Sequence, residues 1–270
     1  MAEQEGISSY SGKLGDKVGY RRGKKYFERK RIQPYQPPEE SMKSASEFGK
    51  ASKASALFRK AFGDLFLRSF LPNLHSRLTK AFGSIIRSGP VSEKGKREII
   101  DGNISLLKGF ELNSYKKFED LSPVGVHVEI KDGLLTARLS SSELRAGNIP
   151  GDRYKICFGF VWFDFIHGSY STINANPLYI NVGDSIEEKC VRIEIPEQGK
   201  FTFVMLATVC MESGSTLQRK TISENRRYQA GGVLEAINFE DSKAVTFDTD
   251  SPAPVLKDAK REPVFDISWE

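Results

Sequence analysis

Phe48, Ala51, Ser55, Phe58, Phe62, Leu65 and Phe66 recur at spacings of three and four, the period of a helix with one packing face. Ser41 or Ser44 stands where a cap is needed, and Glu47, three residues after Ser44, completes a capping box. A second stripe, Leu71, Leu74, Leu78, Phe82 and Ile85, ends near Arg87-Ser88-Gly89-Pro90, and a third helix is expected over 93–108. Beyond residue 120 the period becomes two. Val124, Val126, Val128 and Ile130 alternate, "KDG" at 131–133 turns the chain, and Leu135, Ala137 and Leu139 alternate back. Ile156, Phe158, Phe160, Trp162 and Asp164 form another run. Val191, Ile193 and Ile195, then Phe201, Phe203, Met205, Ala207 and Val209, read as a hairpin joined by "PEQGK" at 196–200.

This order of periods predicts an α+β protein: an N-terminal basic β-hairpin arm and helices, followed by an antiparallel immunoglobulin-like β-sandwich. The Cys…Trp…Cys spacing of antibody domains is missing, so only the architecture is implied. Four regions are expected: arm and Pro-rich connector, 1–40; helices, 41–115; sandwich, 116–250; and a proline-containing tail, 251–270. Within the tail, "VFDISWE" at 264–270 reads as a strand returning to its own sheet. Pro34, Pro37 and Pro38 make "IQPYQPPEES" an extended connector.

At 270 residues, 39% hydrophobic and 28% charged, the chain can bury a sizeable core. No apolar run approaches the roughly 18 residues that would cross a bilayer. The start, "MAEQEGISSYSGKL", lacks a signal peptide's basic and apolar regions. The expectation is a protein of the cytoplasm, or of an assembly made there. Cys157, Cys190 and Cys210 match neither a disulfide framework nor a zinc cluster, and each lies in or beside an apolar run, as buried thiols do. Charge is unevenly placed: residues 1–110 carry 22 basic and 11 acidic side chains, while residues 111–270 carry 18 and 24. Two regions of opposite field can attract each other within a chain or between copies.

The basic end concentrates in "GKLGDKVGYRRGKKYFERKR", residues 12–31, with nine Lys and Arg against two acids. A turn at Arg22-Gly23 would set Val18 against Phe27, Lys17 against Glu28 and Asp16 against Arg29, giving one apolar pair and two ion pairs. A lone hairpin is marginal in water, so this one calls for a partner surface. The candidate binding residues are Lys13, Lys17, Tyr20, Arg21, Arg22, Lys24, Lys25, Tyr26, Phe27, Arg29, Lys30 and Arg31. Cations and aromatic rings in this mixture serve two partners. Tyr and Arg anchor protein interfaces; cations on phosphates with rings on bases hold DNA or RNA.

Catalytic signatures are sparse. The arm's glycines draw neither G-x-x-x-x-G-K-[ST] nor G-x-G-x-x-G. His75, His127 and His167 share no ligand spacing, and "HVE" at 127–129 lacks a following P-C-x-x-C. Asp164, His167, Ser169 and Tyr170 lie close together, but a triad needs side chains converging from separate segments. No cofactor or metal site is expected, and the chain reads as non-enzymatic.

The run from Gly12 to Phe62 resembles the start of a family of uncharacterised bacterial proteins, in which a G-x-x-G-x-x-V hairpin, a G-K turn and an aromatic-x-R strand precede a proline connector and a helix bearing R-x-x-F. The pattern falls on Gly12, Gly15, Val18, Gly23, Lys24, Arg29, Arg59 and Phe62, while "FERK" stands where members read Y-x-R-x-x-P. The resemblance implies helices followed by a β-sandwich, and no established activity. The function expected is therefore interaction or assembly: the arm docks on the acidic region of a neighbouring copy or partner, with Tyr20, Tyr26 and Phe27 as anchors. A virion or tail-like assembly suits such a chain. The alternative is nucleic-acid binding through the same arm, and no membrane is involved.

Overall fold

Glycine at the first position of two successive tight turns shapes the N-terminal part of the chain. Gly15 (φ 57°) and Gly23 (φ 64°) open the two-residue loops Gly15-Asp16 and Gly23-Lys24, the glycine-first pattern of type II′ turns. They join β2 (Gly12–Leu14), β3 (Lys17–Arg22) and β4 (Lys25–Lys30), and β1 (Ala2–Glu3) completes an antiparallel sheet ordered β1-β4-β3-β2. The computed structural model describes residues 2–3, 10–31, 36–89, 93–131, 133–141, 151–184, 186–213 and 221–247. The chain divides into two compact units, Met1–Met42 and Lys43–Glu270. Among the described residues it is a strand-rich α+β protein with two α-helices and three antiparallel sheets.

The hairpin register differs from the one expected. Tyr20 pairs with Phe27, Gly19 with Glu28 and Lys17 with Lys30, two residues away from the register through Arg22-Gly23. The turn decides this, because Gly23 takes the left-handed position with no side chain to strain. A two-residue shift leaves every side chain on its expected face, so the choice does not move apolar groups.

α1 (Glu39–Ala61) starts directly after Pro37-Pro38, and the Pro38 carbonyl accepts from the Ser41 and Met42 N–H groups at 2.9 and 3.1 Å. Ser41 and Ser44 therefore lie inside the helix and not at its N-cap. Glu47 is not a capping-box partner either: its Oε1 accepts from the Gly95 N–H at 2.9 Å. α2 (Leu74–Ser88) follows, with Leu74, Leu78, Phe82, Ile85 and Ile86 buried. Phe48 and Leu71, expected in the packing stripes, are 65% and 56% exposed.

The third expected helix is absent from the described part of 93–108, which holds only a 3-10 turn at Ile104–Leu107. Two tertiary contacts explain it. Gly102 lies so close to α2 that a Cβ there would come within 2.1 Å of the Ile85 carbonyl. The Ile100 and Gly102 carbonyls accept from the Asn238 side chain at 3.0 and 3.1 Å instead of from a helical ladder.

The remaining strands are β5 (Val124–Lys131), β6 (Leu134–Ser141), β7 (Arg153–Asp164), β8 (Ser169–Asn174), β9 (Leu178–Asn181), β10 (Lys189–Glu194), β11 (Lys200–Ser213), β12 (Thr221–Ile222), β13 (Gln229–Glu240) and β14 (Lys243–Val245). One sheet runs β10-β6-β5; the other runs β14-β13-β11-β7-β8, with β12 on β11 and β9 on β7. "PEQGK" thus joins strands of two different sheets and is no hairpin loop: β10 pairs with β6, while β11 pairs with β7 and β13. Pro196, which has no N–H, stands where the chain leaves one ladder for the other.

The large sheet is apolar on both faces. Ile156, Phe158, Phe160, Trp162, Phe203, Met205 and Ala207 share a core with Leu135, Ala137, Leu139 and Ile193 of the small sheet. Val161, Phe163, Val204, Leu206, Val233 and Ala236 share a second core with α1 and α2. Phe58 of α1 is fully buried, its ring stacked on Phe163 (6.1 Å, 9°) and edge-on to Phe82 (6.1 Å, 66°). Gly159 admits the segment after α1, since a Cβ there would meet Leu65 at 2.6 Å and the Phe62 ring at 3.1 Å. The strand expected at 264–270, with the rest of the 251–270 tail, lies outside the described residues.

Candidate functional site

Alternation along β2, β3 and β4 sorts ten of the twelve candidate residues into two groups, with Lys24 in a turn and Arg31 beyond the end of β4. Tyr20 pairs with Phe27, Val18 with Arg29, Arg22 with Lys25, and Lys13 of β2 with Val18. Paired residues share a face, so Val18, Tyr20 and Phe27 lie on one face, framed by Lys13, Arg22, Lys25 and Arg29. The Tyr20 and Phe27 rings stack at 5.9 Å with 25° between their planes, and the Arg29 guanidinium lies 6.0 Å from the Tyr20 centroid. Both rings and Val18 are half-buried.

The opposite face carries Lys17, Arg21, Tyr26 and Lys30 together with Glu28. Arg21 sits 5.8 Å from the Tyr26 ring, and Lys17 Nζ reaches Glu28 Oε1 at 2.9 Å, a diagonal pair in the observed register. The hydrogen bond and charge of Glu28 raise the Lys17 pKa above its ordinary value. Tyr10 packs on this face over Gly19, where a Cβ would come within 2.7 Å of its ring. The expected pair between Asp16 and Arg29 does not form: Asp16 occupies the turn, and its carbonyl accepts from the Arg31 N–H at 2.6 Å. Lys24 stands in the second turn, off both faces. So Tyr20 and Phe27 act together, while Tyr26 lies on the other side of the sheet.

Elsewhere, Asp164 and His167 are a turn device. Asp164 Oδ1 accepts from the Ile166 and His167 N–H groups at 3.0 and 2.9 Å, and Oδ2 lies 2.6 Å from His167 Nδ1. Burial pushes the Asp164 pKa up, but these bonds and the His167 charge outweigh it and hold the carboxyl below its ordinary range. Ser169 pairs with Asp164 in the β7–β8 ladder, and Tyr170 lies 6.3 Å from Phe163.

The cysteines are free, and they differ. Cys190 is exposed on an edge strand, contrary to the expected buried thiol, because it points outward opposite Arg138, away from the core that takes Ile193. Cys157 is half-buried and Cys210 buried; desolvation raises both thiols, Cys210 to about 12. Such thiols are poor nucleophiles at neutral pH. Among the described residues there is no group of three or more His, Cys, Asp or Glu placed to hold a metal, and no helix long and apolar enough to cross a membrane.

Sequence reasoning missed two grooves flanking α1. One, of about 630 Å³, lies between α1 and α2 and is lined by Glu47, Phe48, His75 and Lys80 among others. The other, of about 940 Å³, lies between α1, residues 98–101 and the turn after β7. Their residues come from segments far apart in sequence; the helical spacing of Lys50, Lys53, Leu57 and Lys60 marks one wall and says nothing of the segment facing it. No known family model matches the chain, and no curated protein matches it.

Proposed function

We propose that this chain is a non-enzymatic interaction protein whose basic arm docks on an acidic surface of a neighbouring copy or of a protein partner. One observation carries the reading: a stacked ring pair framed by four cations on one face of a small sheet. Residues 12–31 hold nine cations and two acids, and Glu28 is already spent on Lys17. Excess positive charge held on a short sheet is balanced most directly by a negative partner. Tyr and Arg in that setting supply contact area and charge-assisted hydrogen bonds. The two-sheet core serves in this reading as an immunoglobulin-like scaffold, and the acidic excess of residues 111–270 is the complementary surface for assembly. A cytoplasmic assembly such as a virion or tail suits these features.

The same stacked pair favours one second reading, binding of single-stranded DNA or RNA, in which rings meet bases and cations meet phosphates. The test uses the full chain and an Arg22→Glu/Lys25→Glu/Arg29→Glu variant, all at exposed positions. Light scattering is expected to show an oligomer that the variant converts to monomer. If both are monomers, self-docking is wrong. Oligonucleotide binding that weakens steeply with salt, and is lost in the variant, would then establish the second reading.

A further inference from the structure

The larger groove beside α1 has a chemistry of its own, and nothing in it depends on the arm. Lys50, Lys53, Leu57 and Lys60 occupy positions i, i+3, i+7 and i+10 of α1 and line its near wall. Their stripe runs beside the core-facing one of Ala51, Ala54, Ser55 and Phe58. Across from them the turn after β7 supplies Phe165, Ile166 and His167, and Ile99 and Lys200 complete the wall.

The apolar part of this wall is rigid and incompletely covered. Phe165 is fixed by stacking on Phe163 at 5.1 Å and by an edge contact to Phe82 at 5.7 Å. Leu57 is half-buried, and Ile166 is 60% exposed at the tip of its turn. A β-branched residue displayed there contributes little to a tight turn, yet it adds apolar surface at the mouth of the groove.

The cations divide into spent and unspent. Lys50 Nζ is held by Glu98 Oε1 and by the Arg97 carbonyl at 2.8 Å, and Lys200 Nζ by Glu240 Oε1 at 3.0 Å. Lys53 and Lys60 make no hydrogen bond or ion pair with any described residue. They stand about 10 Å apart along the helix axis, one on either side of Leu57, and their flexible stems let both ammonium groups reach one anion between them. Glu98 is already neutralised by Lys50, so Asp101 is the other carboxylate in the lining. The lining therefore carries four ammonium groups against two carboxylates.

We propose that this groove binds a small amphipathic anion: an apolar body seated on Leu57, Ile99 and Phe165, with its anionic head held by Lys53 and Lys60. Its volume of about 940 Å³ is that of a small-molecule site. A bare inorganic anion would leave the apolar wall wet, and an apolar cation would face the unspent lysines; only a molecule with both parts uses the whole groove.

The probe is dodecanoate, titrated into the full chain by calorimetry below its aggregation concentration, beside inorganic phosphate and dodecylamine. Dodecanoate is expected to bind saturably at one site, with the other two weaker by at least about tenfold, the scale of one lost charge-assisted hydrogen bond. Lys53→Glu/Lys60→Glu should weaken dodecanoate by a similar factor or more. Both positions are exposed, so the fold is retained, and circular dichroism checks that. Ile166→Asp, on the opposite wall, should weaken it too, whereas charge reversal in the arm should change nothing. Absence of saturable binding, equal binding of dodecylamine, or full affinity in Lys53→Glu/Lys60→Glu overturns the proposal. None of these results bears on the arm, so the two readings stand or fall separately.

Discussion

The two antiparallel regions of this chain solve the same backbone problem with opposite side chains. In the large sheet, β7 and β11 are buried on both faces, and the residues between Phe158 and Phe163 and between Thr202 and Glu212 are all buried. In the arm, no side chain of β3 or β4 is fully buried; Val18, Tyr20, Tyr26 and Phe27 are half-buried, and most of the cations are exposed. The large sheet draws its stability from apolar area removed from water, about 25 cal/mol per Å². The arm has turn geometry, one exposed diagonal ion pair, and ring contacts that contribute about 1 kcal/mol apiece. Burial and charge are thus separated: one sheet is spent on folding, and the other keeps its charge.

The sharpest way to break this contrast is to truncate one aromatic in each region. Phe58→Ala removes a fully buried ring that touches Phe62, Phe82 and Phe163. It should lower the unfolding free energy by about 3–5 kcal/mol, read from the urea midpoint. Tyr20→Ala should lower the same free energy by less than about 1 kcal/mol. Equal shifts would mean that the arm is part of the folding core, and the division of labour would be wrong.

A middle-sized effect tests the edge of the large sheet. Phe110–Leu112 runs along β13, with the Leu112 N–H donating to the Gly231 carbonyl at 2.7 Å and the Val233 N–H to the Phe110 carbonyl at 2.9 Å. Burial pushes the Glu111 pKa up from 4.5; Glu119 and Asp120 add to this, while the Phe118 N–H and Lys117 oppose it. The folded state therefore holds this proton more tightly than the unfolded state. Its contribution to stability falls as pH rises from about 4.5 through the raised value, then stays at its low level. Glu111→Gln keeps an oxygen for the Phe118 N–H and removes the charge. The variant should be more stable than the parent at pH 7, with the gain disappearing below pH 4.5. A loss at neutral pH would show that the carboxylate is needed in its charged form.

How much of this was legible depends on whether a residue's partner is local. The stripes of α1 and α2 and the alternation of β5, β6, β7 and β11 carry their own periodicity, and these elements stand close to where the pattern puts them. β13 was missed because "QAGGVLEAINFE" has neighbours on both faces and so never alternates. Its Gly231 is there to admit Leu112, which a Cβ would meet at 3.0 Å. The third helix was read where Asn238, more than 130 residues away, supplies the hydrogen bonds. The candidate residues of the arm were all legible as a list. Their division between two faces was not read: Tyr26 was grouped with Tyr20 and Phe27 as an anchor, yet it pairs with Arg21 on the other side of the sheet. The grooves beside α1 were illegible, since each wall belongs to a different segment.

The smallest effect decides what sets the arm's register. The expected register used Lys17 opposite Glu28; the observed one forms the same ion pair diagonally, at 2.9 Å, with side chains 52% and 29% exposed. If the pair were decisive, either register would serve, and the turns would be free to move. Gly15 and Gly23 argue otherwise, because both hold positive φ at the first position of a two-residue loop. Glu28→Gln should therefore leave Tyr20 opposite Phe27, seen as an undiminished ring-to-ring Overhauser contact. It should also abolish a slight pH dependence: the Lys17 pKa is raised by Glu28, so their attraction is present below pH 10.5 and is lost as pH rises through the raised value. Gly23→Val should instead strain the left-handed position and weaken the contact. A register shift in Glu28→Gln would give the ion pair the directing role, and the arm would then owe its shape to a charge pair on the face opposite the stacked rings and not to its glycine turns.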